Sequence, residues 1–108
     1  MTRIAKRTSR NHEAATIDSF RRNPEVAIEY LNAVLAEADQ DELMVALRRV
    51  SKAFGGVAKL ARNAELNATT LYRTLSRNGN PELRSLIALL RALGMQLAVR
   101  RLPRRRAA

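Results

Sequence analysis

Several residue types that build catalytic or metal centres are missing or scarce in this chain. It has no cysteine and a single histidine, His12. Cysteine nucleophiles, disulfide frameworks and thiolate metal sites are therefore excluded, and one histidine alone cannot hold zinc. The other routes to catalysis, a serine with a lysine or a pair of carboxylates, are favoured by no spacing in the sequence. We therefore expect no enzyme activity, no catalytic residue, no metal and no cofactor.

Long apolar runs are also missing. No stretch approaches the roughly 18 residues that a membrane-spanning helix requires, and the beginning of the chain, MTRIAKRTSRNHEAA, lacks the apolar centre of a signal peptide. A length of 108 residues with 46% apolar and 28% charged residues is typical of one globular domain with a modest core. We expect a soluble protein of the cytoplasm, with no membrane partner.

Negative charge is scarce overall and is concentrated in one part of the chain. Twenty lysines and arginines against ten acidic residues give a net charge of +10, which favours a polyanion such as nucleic acid as a partner. Residues 1–22 hold six basic and two acidic residues, residues 23–47 hold none and six, and residues 48–108 hold fourteen and two. The acidic middle segment would be repelled by phosphate, so we expect two faces for two partners.

The domain boundaries follow from composition and from helix-start signals. Residues 1–16 form a basic arm that we expect to be flexible, residues 17–102 form the folded domain, and residues 103–108 form an arginine-rich tail. Asn23 before a proline predicts the start of a helix that ends near residue 38, and Asp39 predicts the start of another that stops at a glycine pair, residues 55–56.

Residues 57–76 have the pattern of two short helices joined by a tight turn. Leu66 is placed as an apolar anchor in the turn, and Asn67 as the N-cap of the second helix. Leu71 and Leu75 lie four residues apart and define the inward face of that helix. Together these features predict a helix-turn-helix.

A DNA-reading helix needs polar, outward-facing side chains in its N-terminal half. Arg73 can donate two hydrogen bonds to a guanine, and Thr69 can meet a thymine methyl group. We expect Ala68 to point outward with them. The alternative is an ordinary solvated helix face. The predicted DNA-contacting residues are Lys59, Arg62, Asn67, Ala68, Thr69, Thr70, Tyr72, Arg73 and Arg77.

The end of the domain predicts a last helix and a strand. Asn80 and Pro81 predict the start of a helix that closes at Gly94. Residues 95–101 then alternate between apolar and polar side chains, the period of a half-buried strand. A lone strand leaves its backbone groups unpaired, so we expect it to pair either with the same strand of a second copy or with a partner protein.

From about residue 17 to residue 99 the chain resembles the addiction-module antidote proteins, a HigA-like branch of the lambda-repressor or Cro-type helix-turn-helix proteins. The residues that carry the resemblance are NPEVAIEYLNAVLAEAD and ALRRVSKAFGGVAKLARNAELNATTLYRTLSRNGNPELRSLIALLRALGMQLAV. The resemblance implies an all-α, five-helix domain with a short C-terminal β-strand. It also implies a homodimer that binds the operator of its own promoter and neutralises a small basic toxin of the ParE or RelE type.

The chain departs from that family pattern at the turn and at the entrance of the second helix. Glu65 stands where a glycine is usual, which places a glutamate in a left-handed conformation. Asn67-Ala68-Thr69-Thr70 replaces the usual Ser-Arg-Glu-Ser entrance, so the operator of a relative cannot be assumed.

The acidic middle segment is the candidate contact for a basic toxin. It is the only part of the chain without positive charge, and opposite charge favours association. The candidate toxin-binding residues are Glu25, Glu29 and Glu37. Two alternatives stay open: a transcriptional regulator that acts without a toxin, and a protein-binding module without a DNA function.

Overall fold

The computed structural model describes residues 2–76 and 78–104, with side chains from residue 10 onward. In this part of the chain all regular structure is helical: α1 (Thr2–Arg22), α2 (Pro24–Glu37), α3 (Gln40–Ala53), α4 (Val57–Asn63), α5 (Ala68–Thr74) and α6 (Leu83–Ala92). The all-α prediction is confirmed, whereas the prediction of five helices is wrong. No helix within the described residues combines the length and the apolar character needed to cross a membrane.

Helix α1 runs without a break from Thr2 to Arg22. The expected division at residue 16 is therefore not marked by a change of backbone structure, and the flexibility of the basic arm stays a prediction. Ile17 and Phe20, spaced three apart, are buried and dock the C-terminal part of α1 onto the core. Arg22 forms an exposed ion pair with Asp18 one turn earlier, which contributes little to stability.

The starts of α2 and α3 follow the capping signals of the sequence. Asn23 accepts a hydrogen bond from the backbone N–H of Glu25 at 3.2 Å, and Asp39 accepts one from the N–H of Glu42 at 3.1 Å. Between the helices Ala38 takes a left-handed conformation with φ 56°, which ends α2 and lets the chain reverse. Both predicted N-caps are confirmed.

Helix α3 is the central element of the fold. Its apolar face, with Met44, Leu47 and Val50 almost fully buried, packs against α1, α2 and α4, while α5 and α6 pack against α4. The rings of Phe20 and Tyr30 lie over the same core with centroids 5.2 Å apart. The glycine pair ends α3 as predicted: Gly55 and Gly56 both have positive φ, 113° and 93°.

Arginine side chains join helices that are far apart in sequence. The Nε of Arg49 donates to Glu13 on α1 at 3.3 Å, and its Nη1 donates to the Tyr30 hydroxyl on α2 at 3.1 Å. The hydrogen bond that Arg49 donates to the Tyr30 hydroxyl, together with the Glu13 carboxylate, raises the pKa of Arg49 against the opposing effect of burial. The Nε of Arg21 donates to the carbonyl of Ala53 at 3.1 Å and satisfies the C-terminal end of α3.

The predicted start of the last helix is wrong. Asn80 and Pro81 stay outside α6, which begins at Leu83 with Glu82 as its N-cap. The loop before it is held by tertiary contacts, because the side chain of Gln40 donates to the carbonyl of Gly79 at 2.9 Å. The predicted end at Gly94 is confirmed: this glycine has φ 78° and follows the last turn of α6.

The predicted C-terminal strand is also wrong. Residues 95–104 have no regular structure, and Val99 is 100% exposed. Strand hydrogen bonds need a second strand, and the described residues of this chain contain none. The alternation of apolar residues is therefore present without a strand.

The cap of α3 gives a first test of the fold. Asp39→Ala removes the bond to the Glu42 N–H, and we expect the free energy of unfolding to fall by about 1 kcal/mol, within a range of about 0.5–2 kcal/mol. Urea unfolding followed by circular dichroism measures this. Asp41→Ala is the matched control, because it removes the same charge from the first turn of α3 without removing the cap; an equal loss in both variants would contradict the capping role.

Candidate nucleic-acid interface

The joint between α4 and α5 is closed by backbone hydrogen bonds. The N–H of Leu66 donates to the carbonyl of Ala61 at 2.7 Å, and the N–H of Ala64 donates to the carbonyl of Leu60 at 2.9 Å. Between them Glu65 has φ 57°, as expected for a position that usually holds glycine. The left-handed glutamate predicted from the sequence is thus confirmed, and the joint stores a small strain.

Apolar side chains fix the two helices of the joint to the rest of the domain. Leu60 on α4 and Leu71 and Leu75 around α5 are each no more than 3% exposed, and Leu66 packs against the same core from the turn. These residues confirm the inward face predicted for α5. Since one face of α5 is buried, the opposite face of the helix is turned towards solvent.

The outward face of α5 carries hydroxyl, phenol and guanidinium groups. Thr69, Thr70 and Arg73 are exposed, and Tyr72 is 46% exposed. Within the described part of the chain, Arg73 takes part in no ion pair. Thr74 is different, because its hydroxyl donates to the carbonyls of Thr70 and Leu71 at 3.0 Å. Within the described residues this face therefore presents hydroxyl and guanidinium donors to solvent.

Two predicted contact residues at the start of α5 have structural roles. Asn67 is the N-cap of α5, as expected, and its Oδ1 accepts a hydrogen bond from the N–H of Thr70 at 2.9 Å. Ala68 is half-buried and packs against the core, so the expectation that it points outward is wrong. Its small side chain lets the first turn of α5 approach the core.

The predicted flanking cations are only partly described. Lys59 and Arg62 are exposed on α4, and they take part in no ion pair within the described residues. The stem of Lys59 covers the turn before α4, because a Cβ placed on Gly55 would lie 2.7 Å from its Cδ. Arg77 lies outside the described residues.

Sequence patterns did not indicate two further basic residues beside α4. Arg21 and Lys52 line a cleft of about 560 Å³ together with the glycine pair that precedes α4. The sequence places Lys52 in the basic C-terminal part of the chain, but it does not indicate that Lys52 lies beside α4. Arg21 is brought there only by the packing of α1 on α3. The cleft extends positive charge from α4 towards α1.

The candidate toxin-binding residues lie on a different element. Glu25, Glu29 and Glu37 are all exposed on α2, and their spacings of four and eight residues put them on one side of that helix. Helix α2 packs against α1 and α3, whereas α5 packs against α4. The negative residues and the donors of α5 are therefore presented by separate helices.

Comparison with known proteins gives a family match over most of the chain. The family model described as "Probable addiction module antidote protein" matches residues 11–101. An uncharacterized protein of Haemophilus influenzae is 31% identical over 70 residues, which cover 65% of this chain and 71% of that protein. No solved structure matches this chain.

The left-handed residue at the joint gives a test of the local geometry. Glu65→Gly relieves a conformation that costs roughly 1–2 kcal/mol. The greater freedom of glycine in the unfolded chain offsets part of this stabilisation. We expect the free energy of unfolding to rise by about 0.5–1 kcal/mol in urea melts. Ala64→Gly is the matched control, because Ala64 has φ −89°, and it should destabilise by about 0.5–1 kcal/mol. Destabilisation by both variants would contradict the strained joint.

Proposed function

Because the chain belongs to the family described as "Probable addiction module antidote protein", we propose that it is the DNA-binding antitoxin of a type II toxin–antitoxin module. In this proposal α4 and α5 form a helix-turn-helix of the HigA-like, lambda-repressor type. The protein represses its own operon and neutralises a ParE- or RelE-type toxin. It acts in the cytoplasm by binding, without a catalytic step or a cofactor.

The exposed donors of α5 carry the DNA-binding half of the proposal. In a helix-turn-helix the second helix enters the major groove, and its exposed side chains meet the base edges. Arg73 is exposed and suited to a guanine, Thr69 suits a thymine methyl group, and Tyr72 suits a phosphate oxygen. The net charge of +10 supplies the sequence-independent attraction to DNA.

The cations around α4 have the role of backbone contacts in this proposal. Lys59 and Arg62 flank the reading face and are free of ion pairs in the described residues. Such contacts set the position of the reading helix without reading sequence themselves. Arg77 and Thr70 complete the proposed set, and Asn67 contributes chiefly through its capping of α5. Ala68 contributes through the close packing of the first turn.

A homodimer would present two copies of α5 to one operator. Helix-turn-helix dimers bind half-sites about 34–36 Å apart, so the operator is expected to be a near-palindrome. Two weak contacts on one duplex then act together, which raises affinity without any new contact to a base.

The exposed carboxylates of α2 support the toxin-binding half. Glu25, Glu29 and Glu37 belong to a segment, residues 23–47, that has no lysine or arginine. A basic toxin is attracted to such a surface, and phosphate is repelled by it. These residues and the donors of α5 lie on different helices, so the proposal assigns toxin and operator to different elements of the chain.

Two other functions remain as alternatives. A regulator without a toxin would use the same α5 surface, and a protein-binding module would use the fold without DNA. The neighbouring gene separates the first alternative: a short reading frame for a small basic protein supports the antitoxin, and its absence supports the stand-alone regulator. The variant Arg73→Ala tests the second alternative, because a protein-binding module without a DNA function would show no change in DNA binding.

Arg73→Ala tests base reading by α5. We expect specific binding to the upstream DNA to weaken by about 1–3 kcal/mol, because a bidentate contact to guanine is lost. Fluorescence anisotropy with the specific duplex and a scrambled duplex, at two salt concentrations, measures the loss and its sequence dependence. Arg91→Ala is the matched control, since Arg91 is exposed on α6. Equal affinities of the wild type and Arg73→Ala for the specific duplex would contradict the DNA-reading role.

Charge reversal on α2 tests toxin binding. In the variant with Glu29→Lys and Glu37→Lys we expect the complex with the neighbouring basic protein to weaken by about tenfold or more, because attraction is replaced by repulsion. Glu82→Lys reverses a charge outside residues 23–47 and is the control. Calorimetry measures the affinity of the wild type, the double variant and the control for the toxin. An unchanged affinity of the double variant rules out this surface.

A further inference from the structure

An apolar groove lies between α2, α3 and the loop before α6. It has a volume of about 250 Å³, and its walls include Leu35, Leu43, Pro81 and Leu86. Leu35 is 43% exposed although it is an aliphatic residue of a helix that is otherwise packed on the core. The groove is on the side of the molecule where α2 ends and α3 begins, and α4 and α5 contribute nothing to it.

The rim of this groove is negatively charged. Asp39 lines it directly, and Glu37, Asp41 and Glu42 are neighbours in sequence and exposed. None of these four carboxylates forms an ion pair within the described residues. An occupant that fits is therefore an apolar segment that also carries lysine or arginine.

A segment of that composition is present in the chain itself. Residues 95–104 read MQLAVRRLPR, and three apolar side chains in it are exposed: Leu97 at 39%, Val99 at 100% and Leu102 at 86%. Arg100, Arg101 and an arginine at position 104 lie among them. This C-terminal segment exposes apolar side chains that could be buried, and its charge is opposite to that of the groove rim.

We propose that the C-terminal segment 97–102 of one copy docks in the α2–α3 groove of a second copy, so that two identical contacts hold the homodimer. This inference rests on the homodimer of the proposed function and specifies how it is held. A reciprocal exchange of this kind gives a closed, symmetric pair. The apolar side chains leave water, and the arginines face the carboxylates of the rim.

A second copy is a better occupant than the same chain. The groove is at the N-terminal end of α6, where Pro81 and Leu86 line it. The segment leaves from the other end of that helix, where the N–H of Met95 donates to the carbonyl of Leu90 at 2.8 Å. Residues 97–102 thus start at the far end of α6 from the groove, and in this chain they do not fill it.

Sedimentation velocity of the full-length protein over a range of concentrations measures the dimer. Val99→Ser with Leu102→Ser should weaken dimerisation by at least about tenfold, because two aliphatic side chains lose their burial. Both residues are almost fully exposed in one chain, so folding should be unchanged in urea melts. Ala98→Ser, in the same segment, is the control and should leave the dimer intact.

Cysteine cross-linking tests which surfaces meet, because the chain has no native cysteine. A mixture of two proteins of different mass, one with Val99→Cys and one with Leu35→Cys, should give a disulfide-linked heterodimer under mild oxidation. Val99→Cys mixed with Ala58→Cys is the control for random collision, since Ala58 is exposed on α4 away from the groove. Excess wild-type protein should suppress the specific product.

The outcomes separate this inference from the proposed function. A dimer that survives Val99→Ser with Leu102→Ser overturns the inference and leaves the homodimer standing, whereas a monomer at every concentration removes both. A disulfide within one chain, formed when Val99→Cys and Leu35→Cys are combined, assigns the groove to the same copy and overturns it. A mixture of Val99→Cys and Leu35→Cys that gives no more heterodimer than the Ala58→Cys control also overturns it. DNA binding by Arg73 is tested separately.

Discussion

Met44, Leu47 and Val50 on α3 make the apolar contact on which the position of every other helix depends. Helices α1, α2 and α4 pack directly on α3, and α5 and α6 are held through α4. The DNA-reading face proposed on α5 is therefore one helix removed from the central contact. The orientation of α5 depends on its packing against α4, and Leu60 on α4 and Leu71 on α5 are both buried.

The same arrangement keeps opposite charges apart on a small scaffold. Helix α2 carries exposed carboxylates and no lysine or arginine, whereas α4 and α5 carry exposed cations and hydrogen-bond donors and no acidic residue. A mixed surface would weaken attraction to DNA and to a basic protein alike, because like charges would meet in either complex. Separation on different helices lets one chain of 108 residues present surfaces suited to two partners of opposite charge.

Helix starts and stops were predictable because their interactions are local. Asn23, Asp39 and Asn67 accept hydrogen bonds from backbone groups only two or three residues away. The left-handed Glu65 was expected from the family resemblance, because a glycine is usual at this position, and the turn around it is closed within five residues. The start of α6 and the strand were mispredicted, because Pro81 is a general helix-start signal that the loop overrides and because a strand needs a partner outside the local sequence.

By itself the sequence determined the helices of residues 23–76, the joint between α4 and α5, the inward face of α5 and the separation of acidic from basic segments, since these depend on periodicity, caps and charge order. Only the tertiary structure decided that Ala68 is half-buried and that Arg21 closes the end of α3, 32 residues away. It also decided that α2, α3 and the loop before α6 leave an apolar groove. Such features depend on contacts between segments distant in sequence, and no local pattern records which segments will meet.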